Sequence, residues 1–114
     1  MVTEFGFDAN RDGPVEERGT YAFQVDTIAY HLGVFATKPY LSGAMYFALQ
    51  DYVAFPTYNG GDPRPNPPFN EKGVVDLQGR PKPSFATVSQ IFHSTVQLGP
   101  VAKSKRRPRS HGLY

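Results

Sequence analysis

The sequence predicts an α/β fold built on a parallel sheet, of which this chain supplies only part. Three observations carry that expectation. The apolar patterning runs in the order strand, helix, strand, long loop, helix, and alternating β and α segments argue for a parallel sheet. The stretch from Leu41 to Leu49 is apolar except for Ser42 and is bounded by Pro39, as in a strand covered by helices on both faces. The chain has 114 residues, one domain or part of one, and its two principal strands and two helices cannot close such a sheet.

Residues 2–5 read as the end of a strand, and "DANRDG" after it reads as a loop. A helix is expected next. Pro14 suits a first helical position and Glu16 and Glu17 suit the positive end of the helix dipole. Tyr21, Val25, Ile28, Leu32 and Phe35 then recur at helical spacing as one apolar stripe, and Lys38-Pro39 ends the helix. The buried strand over 41–49 finishes in a polar pair, Gln50-Asp51. Residues 53–69 form a long loop with five prolines and two glycines, a length more typical of functional or linking segments. "GVVDLQGRP" adds a short strand and turn. Ser84 is expected to cap a last helix whose apolar face holds Phe85, Val88, Ile91 or Phe92, and Val96.

Composition excludes several classes. Without cysteine there are no disulfides and no thiolate metal sites. His31, His93 and His111 have no metal-ligand spacing, no glycine-rich loop cradles a phosphate, and no apolar run reaches membrane-spanning length. The N-terminus lacks the pattern of a signal peptide, which by itself does not fix location; a cytoplasmic location is expected over a secreted one. The net charge of +2 is uneven. Lys103, Lys105, Arg106, Arg107 and Arg109 crowd the C-terminal stretch, leaving seven Lys/Arg against ten Asp/Glu in the rest. Residues 99–114 are expected to form a solvated, disordered basic tail with no nucleic-acid partner, and residues 1–98 the structured part.

Three segments resemble the C-terminal end of the catalytic barrel of glycoside hydrolase family 2, the family of β-glucuronidases and β-galactosidases. "VTEFG" resembles its seventh barrel strand, "SGAMYFALQDY" its eighth, and "NEKGVVDLQGRPKPSF" the segment leading into its last barrel helix. The resemblance implies a C-terminal fragment of a (β/α)₈ TIM barrel, from about strand 7 to helix 8, hence an incomplete barrel. In that fold the chemistry sits at the carboxyl ends of the strands.

Read alone, Glu4 is a solvated charge near a terminus. The resemblance makes it the nucleophile of a retaining β-glycosidase, which forms a covalent glycosyl-enzyme and needs a second carboxylate roughly 5–5.5 Å away. That acid/base residue belongs to a strand this chain does not carry, and Asn70-Glu71 matches a different motif. Asn70 and Lys72 resemble the β-glucuronidase Asn-x-Lys motif that reads a sugar carboxylate. Phe47 stands where the family usually has a tryptophan lining the sugar pocket, and Asp51 is expected among the substrate-site residues as a hydrogen-bonding group at the mouth. Tyr52, Phe55 and Tyr58 are available to stack on sugars. This chemistry implies a carbohydrate substrate, no cofactor, no metal, no membrane, the remainder of the barrel as partner, and no activity for the chain alone. The alternative is a small non-catalytic protein whose basic tail binds an anionic partner.

Overall fold

The computed structural model describes residues 2–41 and 43–96; the basic tail predicted over 99–114 lies outside them. The element order is β1 (Val2–Phe5), β2 (Ala9–Arg11), β3 (Gly19–Thr20), α1 (Tyr21–Ala36), β4 (Ala44–Tyr46), β5 (Tyr52–Val53), β6 (Phe69–Asn70) and α2 (Pro83–Val96). β1 and β4 pair in parallel, with Val2 opposite Ala44 and Phe5 opposite Tyr46. With α1 between them they form the expected β-α-β unit. β2 pairs with β3 in parallel and β5 with β6 antiparallel.

The predicted start of the first helix is corrected. Pro14, Glu16 and Glu17 lie before it, and α1 begins at Tyr21. Thr20 wins the start because it has extended backbone (φ −87°, ψ 156°) and its Oγ1 accepts from Phe23 N–H at 3.0 Å. The hydroxyl also donates back toward the Pro14 and Glu17 carbonyls, both at 3.0 Å, which fixes the preceding turn. "DANRDG" is likewise more than a loop, since Ala9–Arg11 finds a partner in Gly19–Thr20.

The core lies where α1 and α2 cross the β1–β4 pair. Ile28 and Leu32 of α1 meet Val74 and Val88, with Phe5, Phe35, Tyr46 and Ile91 packed around them. The buried face of α1 also carries Gln24, fully shielded from solvent. Its Nε2 donates to the carbonyls of Phe7 (2.9 Å) and Gly73 (3.2 Å), and its Oε1 accepts from Ser84 Oγ at 2.7 Å. Ser84 therefore does not cap α2: it sits inside the first turn of that helix and satisfies Gln24, so a buried amide is fully partnered. Of the residues expected on the apolar face of α2, Val88 is buried and Ile91, not Phe92, packs against the core, while Phe85 and Phe92 are exposed.

The expected strand over 41–49 contracts to Ala44–Tyr46 and is not buried on both faces. Met45 and Leu49 are 54% and 70% exposed. The reason is that β4 has β1 as its sheet neighbour and the helices on one side only. The proline-rich loop is tied down rather than free. Ala54 N–H bonds the Pro68 carbonyl at 2.7 Å, and Arg11 bridges to Asp62 at 3.1 Å. Among the described residues, no helix is long and apolar enough to cross a membrane.

Candidate functional site

The carboxyl ends of β1 and β4 meet at Gly6. A Cβ there would collide with the Phe47 carbonyl, so only glycine permits the approach, and it would lie 3.4 Å from the Lys72 stem. Phe47 N–H donates to the Phe5 carbonyl at 2.8 Å, and a cis peptide joins Phe47 to Ala48. Glu4, on β1 just before this junction, is exposed.

Five of the predicted residues are linked into one group near this junction. Phe47 packs edge-on against Tyr52 with ring centroids 5.9 Å apart. Tyr52 OH accepts from Asn70 Nδ2 at 3.1 Å. Asn70 Oδ1 accepts from Lys72 N–H at 3.0 Å, an Asx turn that fixes the short segment between them. Lys72 Nζ donates to Tyr58 OH at 3.2 Å and lies 5.7 Å from that ring's centroid, within cation–π range. Phe47, Asn70 and Lys72 thus share one neighbourhood with Tyr52 and Tyr58, near the strand that bears Glu4.

Beside Lys72 opens a cleft of about 210 Å³ lined by Phe7, Asp8, Arg18, Phe23, Asp62 and Lys72, together with glycines 6, 19, 60 and 61. Asp8 Oδ2 accepts from Tyr58 OH at 3.4 Å, so Lys72, Tyr58 and Asp8 form a chain. Burial pushes the Asp8 carboxyl above its ordinary range, while the Glu71 N–H and the Lys72 charge pull the other way. Burial and the neighbouring Asp8 also push the Tyr58 hydroxyl up, so it stays a neutral partner for the ammonium. Gly60, at φ +60°, brings its backbone so close that a Cβ would strike the Asp8 carboxylate and Tyr58 OH.

Asp51 sits behind this surface. It is 6% exposed, and its Oδ1 accepts from Gly73 N–H at 2.8 Å and from Lys82 Nζ at 2.9 Å. Burial raises its carboxyl; the Lys82 hydrogen bond and charge oppose that rise. Glu71 is also buried and accepts from Asn10 Nδ2 at 2.9 Å. Among the described residues, no cluster of His, Asp or Glu has the makings of a metal site. His31 packs instead among Phe5, Phe7 and Phe35, with Nδ1 2.8 Å from the Thr27 carbonyl.

Sequence reasoning missed the supporting groups. Lys82, Asp8 and Tyr46 are single polar residues within loop or strand patterns, and nothing in their spacing marks them. Tyr46 OH donates to the Lys72 carbonyl at 2.8 Å and receives the Phe7 N–H at 3.3 Å; burial pushes its hydroxyl up to about 12.

No family model and no curated protein matches this sequence. Solved structures do. A GH2 β-galacturonidase from Eisenbergiella tayi bound to galacturonate matches with a TM-score of 0.71 and 25% identity over 82% of this chain and 16% of its own. The β-glucuronidase of Faecalibacterium prausnitzii matches with a TM-score of 0.64 and 21% identity, covering 81% of this chain and 15% of that one. The Parabacteroides merdae β-glucuronidase with glycerol in its active site matches at 0.57 and 26% identity, covering 73% of this chain and 12% of the enzyme. The chain therefore spans no more than about a sixth of the length of these three enzymes. The structural neighbours are glycoside hydrolases, and this small α/β structure is consistent with a fragment of a larger glycosidase domain.

Proposed function

We propose that the chain is the C-terminal slice, about strand 7 to helix 8, of the (β/α)₈ catalytic domain of a retaining β-glycosidase of glycoside hydrolase family 2, acting on a uronide. Within a completed barrel Glu4 attacks the anomeric carbon and forms the glycosyl-enzyme, while an acid/base carboxylate from another strand protonates the leaving oxygen and later activates water. Phe47 offers an apolar wall to the sugar ring. Asn70 and Lys72 present amide donors and a positive charge to the sugar carboxylate, a charge-assisted contact. Asp51 supports this group from behind through Gly73 and Lys82.

The observation that carries this reading is the meeting of two parallel strand ends, one bearing Glu4, with the Asn70–Lys72 segment: the Lys72 stem lies across Gly6, and Ala48 N–H reaches the Lys72 carbonyl at 3.4 Å. Support comes also from a neighbour that binds galacturonate and from others that are β-glucuronidases. The test uses the full chain fused behind the upstream barrel strands of a family 2 β-galacturonidase. Glu4→Gly in this completed barrel abolishes turnover of aryl β-uronides, and added azide restores cleavage with a glycosyl azide of inverted configuration as product. Full turnover in Glu4→Gly refutes the assignment.

A further inference from the structure

We propose that Lys82, acting with Asp51 and Asp8, is a positioning residue: a buried clamp that fixes the backbone on both sides of Lys72 and so sets the direction in which the Asn70–Lys72 segment faces its ligand. The inference rests on the uronate reading above. The backbone of residues 71–73 is held at three points by buried side chains. Glu71 N–H donates to Asp8 Oδ1 at 2.9 Å, the Glu71 carbonyl accepts from Lys82 Nζ at 2.9 Å, and Gly73 N–H donates to Asp51 Oδ1 at 2.8 Å. Lys72 lies between these anchors, with its own N–H and carbonyl taken by Asn70 and Tyr46.

Lys82 ties the anchors together. It is 6% exposed, and its ammonium spends its three protons on the Ala9 carbonyl, the Glu71 carbonyl and Asp51 Oδ1, each at 2.9 Å. One side chain near the start of α2 thereby joins β2, the residue just before β5 and the Asn70–Lys72 segment. Gly73 is pressed against the Asp51 backbone so closely that a Cβ would collide with it, which leaves the segment no slack. Stability alone does not require such a group. Buried ion pairs are often replaceable by apolar side chains with little loss, so an ammonium with three fixed acceptors is better accounted for by the geometry it imposes. Misplacing a substrate-positioning group by about 1 Å can cost on the order of 100-fold, so the placement of this segment bears on how well it meets its ligand.

The test compares kcat/KM for an aryl β-uronide and the matching neutral β-glycoside in the completed barrel. Lys82→Met is expected to lower the uronide-to-neutral ratio by about 10- to 100-fold, chiefly through a higher KM for the uronide. Because Lys82→Met strands the Asp51 charge, the double variant Asp51→Asn/Lys82→Met is measured too: it removes both charges, keeps an acceptor for Gly73, and still deprives the Glu71 carbonyl of its donor. The same fall in ratio is expected. Lys72→Ala is run in parallel. If it is selective against the uronide while both Lys82 variants lower the two substrates equally, the clamp is overturned and the uronate reading stands. If Lys72→Ala is not selective, the uronate reading fails and the clamp falls with it.

Discussion

Replacing Lys72 by alanine isolates the charge that separates a uronide from its neutral counterpart. Lys72 Nζ is held by Tyr58 OH at 3.2 Å, beside a half-enclosed cleft, and its backbone is pinned on both sides, so little reorganisation is needed for it to meet a carboxylate. A hydrogen bond to a charged group contributes about 1.5–3 kcal/mol, or a factor of roughly 10 to 150. Lys72→Ala should therefore lower kcat/KM for an aryl β-glucuronide or β-galacturonide by that factor and scarcely change it for the matching β-glucoside or β-galactoside. Asn70→Ala should show the same selectivity more weakly: its amide is uncharged, and its loss also removes the Asx turn that fixes Lys72 N–H. The assay is release of a chromophoric aglycone from the paired substrates by the completed barrel. Equal losses on both substrates, or no loss on either, would show that Lys72 reads no carboxylate, and the uronide assignment would give way to a neutral sugar.

If the acid/base carboxylate is supplied by another strand, as proposed, the isolated chain should hydrolyse no aryl β-glycoside; turnover that vanishes in Glu4→Gln would overturn this. It should also self-associate, because Met45, Leu49, Val53 and Phe55 are all more than half exposed and β4 has an open edge. Sedimentation velocity should show concentration-dependent association, and a compact monomer at every concentration would contradict it. Tyr46 adds a pH effect. Burial pushes its hydroxyl from the ordinary 10 up to about 12, so the folded chain holds the proton longer, and stability present below pH 10 is lost as pH rises toward 12. Two units correspond to at most about 2.7 kcal/mol. Urea midpoints at fixed protein concentration should fall between about pH 9 and 11.5 more steeply in the wild type than in Tyr46→Phe. Parallel slopes would show that folding does not raise the Tyr46 pKa.

Much of the topology was legible because it rests on periodicity. Ile28 and Leu32 recur at helical spacing, and an α-helix between two apolar segments argues for a parallel pair. The start of α1 was less so. Pro14 and Glu16 carry good start signals, but Thr20 completes its hydrogen bonds with both the turn before it and Phe23 N–H, and a satisfied cap outweighs composition. Ser84 was read as a cap because serine favours that position; its partner is Gln24, sixty residues distant, and no local rule reports so remote a hydrogen bond. The double burial of the 41–49 strand was inferred from hydropathy, which records what a strand can bury and not which neighbours it has. In the site, Asn70 and Lys72 stood out through a short resemblance. Asp8 and Lys82 are loop residues whose place is set by the backbone groups they hold, which no spacing in the sequence marks.

The central claim is that Glu4 is the nucleophile of a retaining glycosidase, and trapping tests it most directly. A completed barrel treated with a 2-deoxy-2-fluoro uronosyl fluoride accumulates its glycosyl-enzyme, because the fluorine slows turnover of the covalent intermediate. Mass spectrometry of the digested protein should find the added sugar on the peptide that carries Glu4, and none in Glu4→Gln. A label on another carboxylate, or inactivation with no covalent adduct, would contradict the assignment.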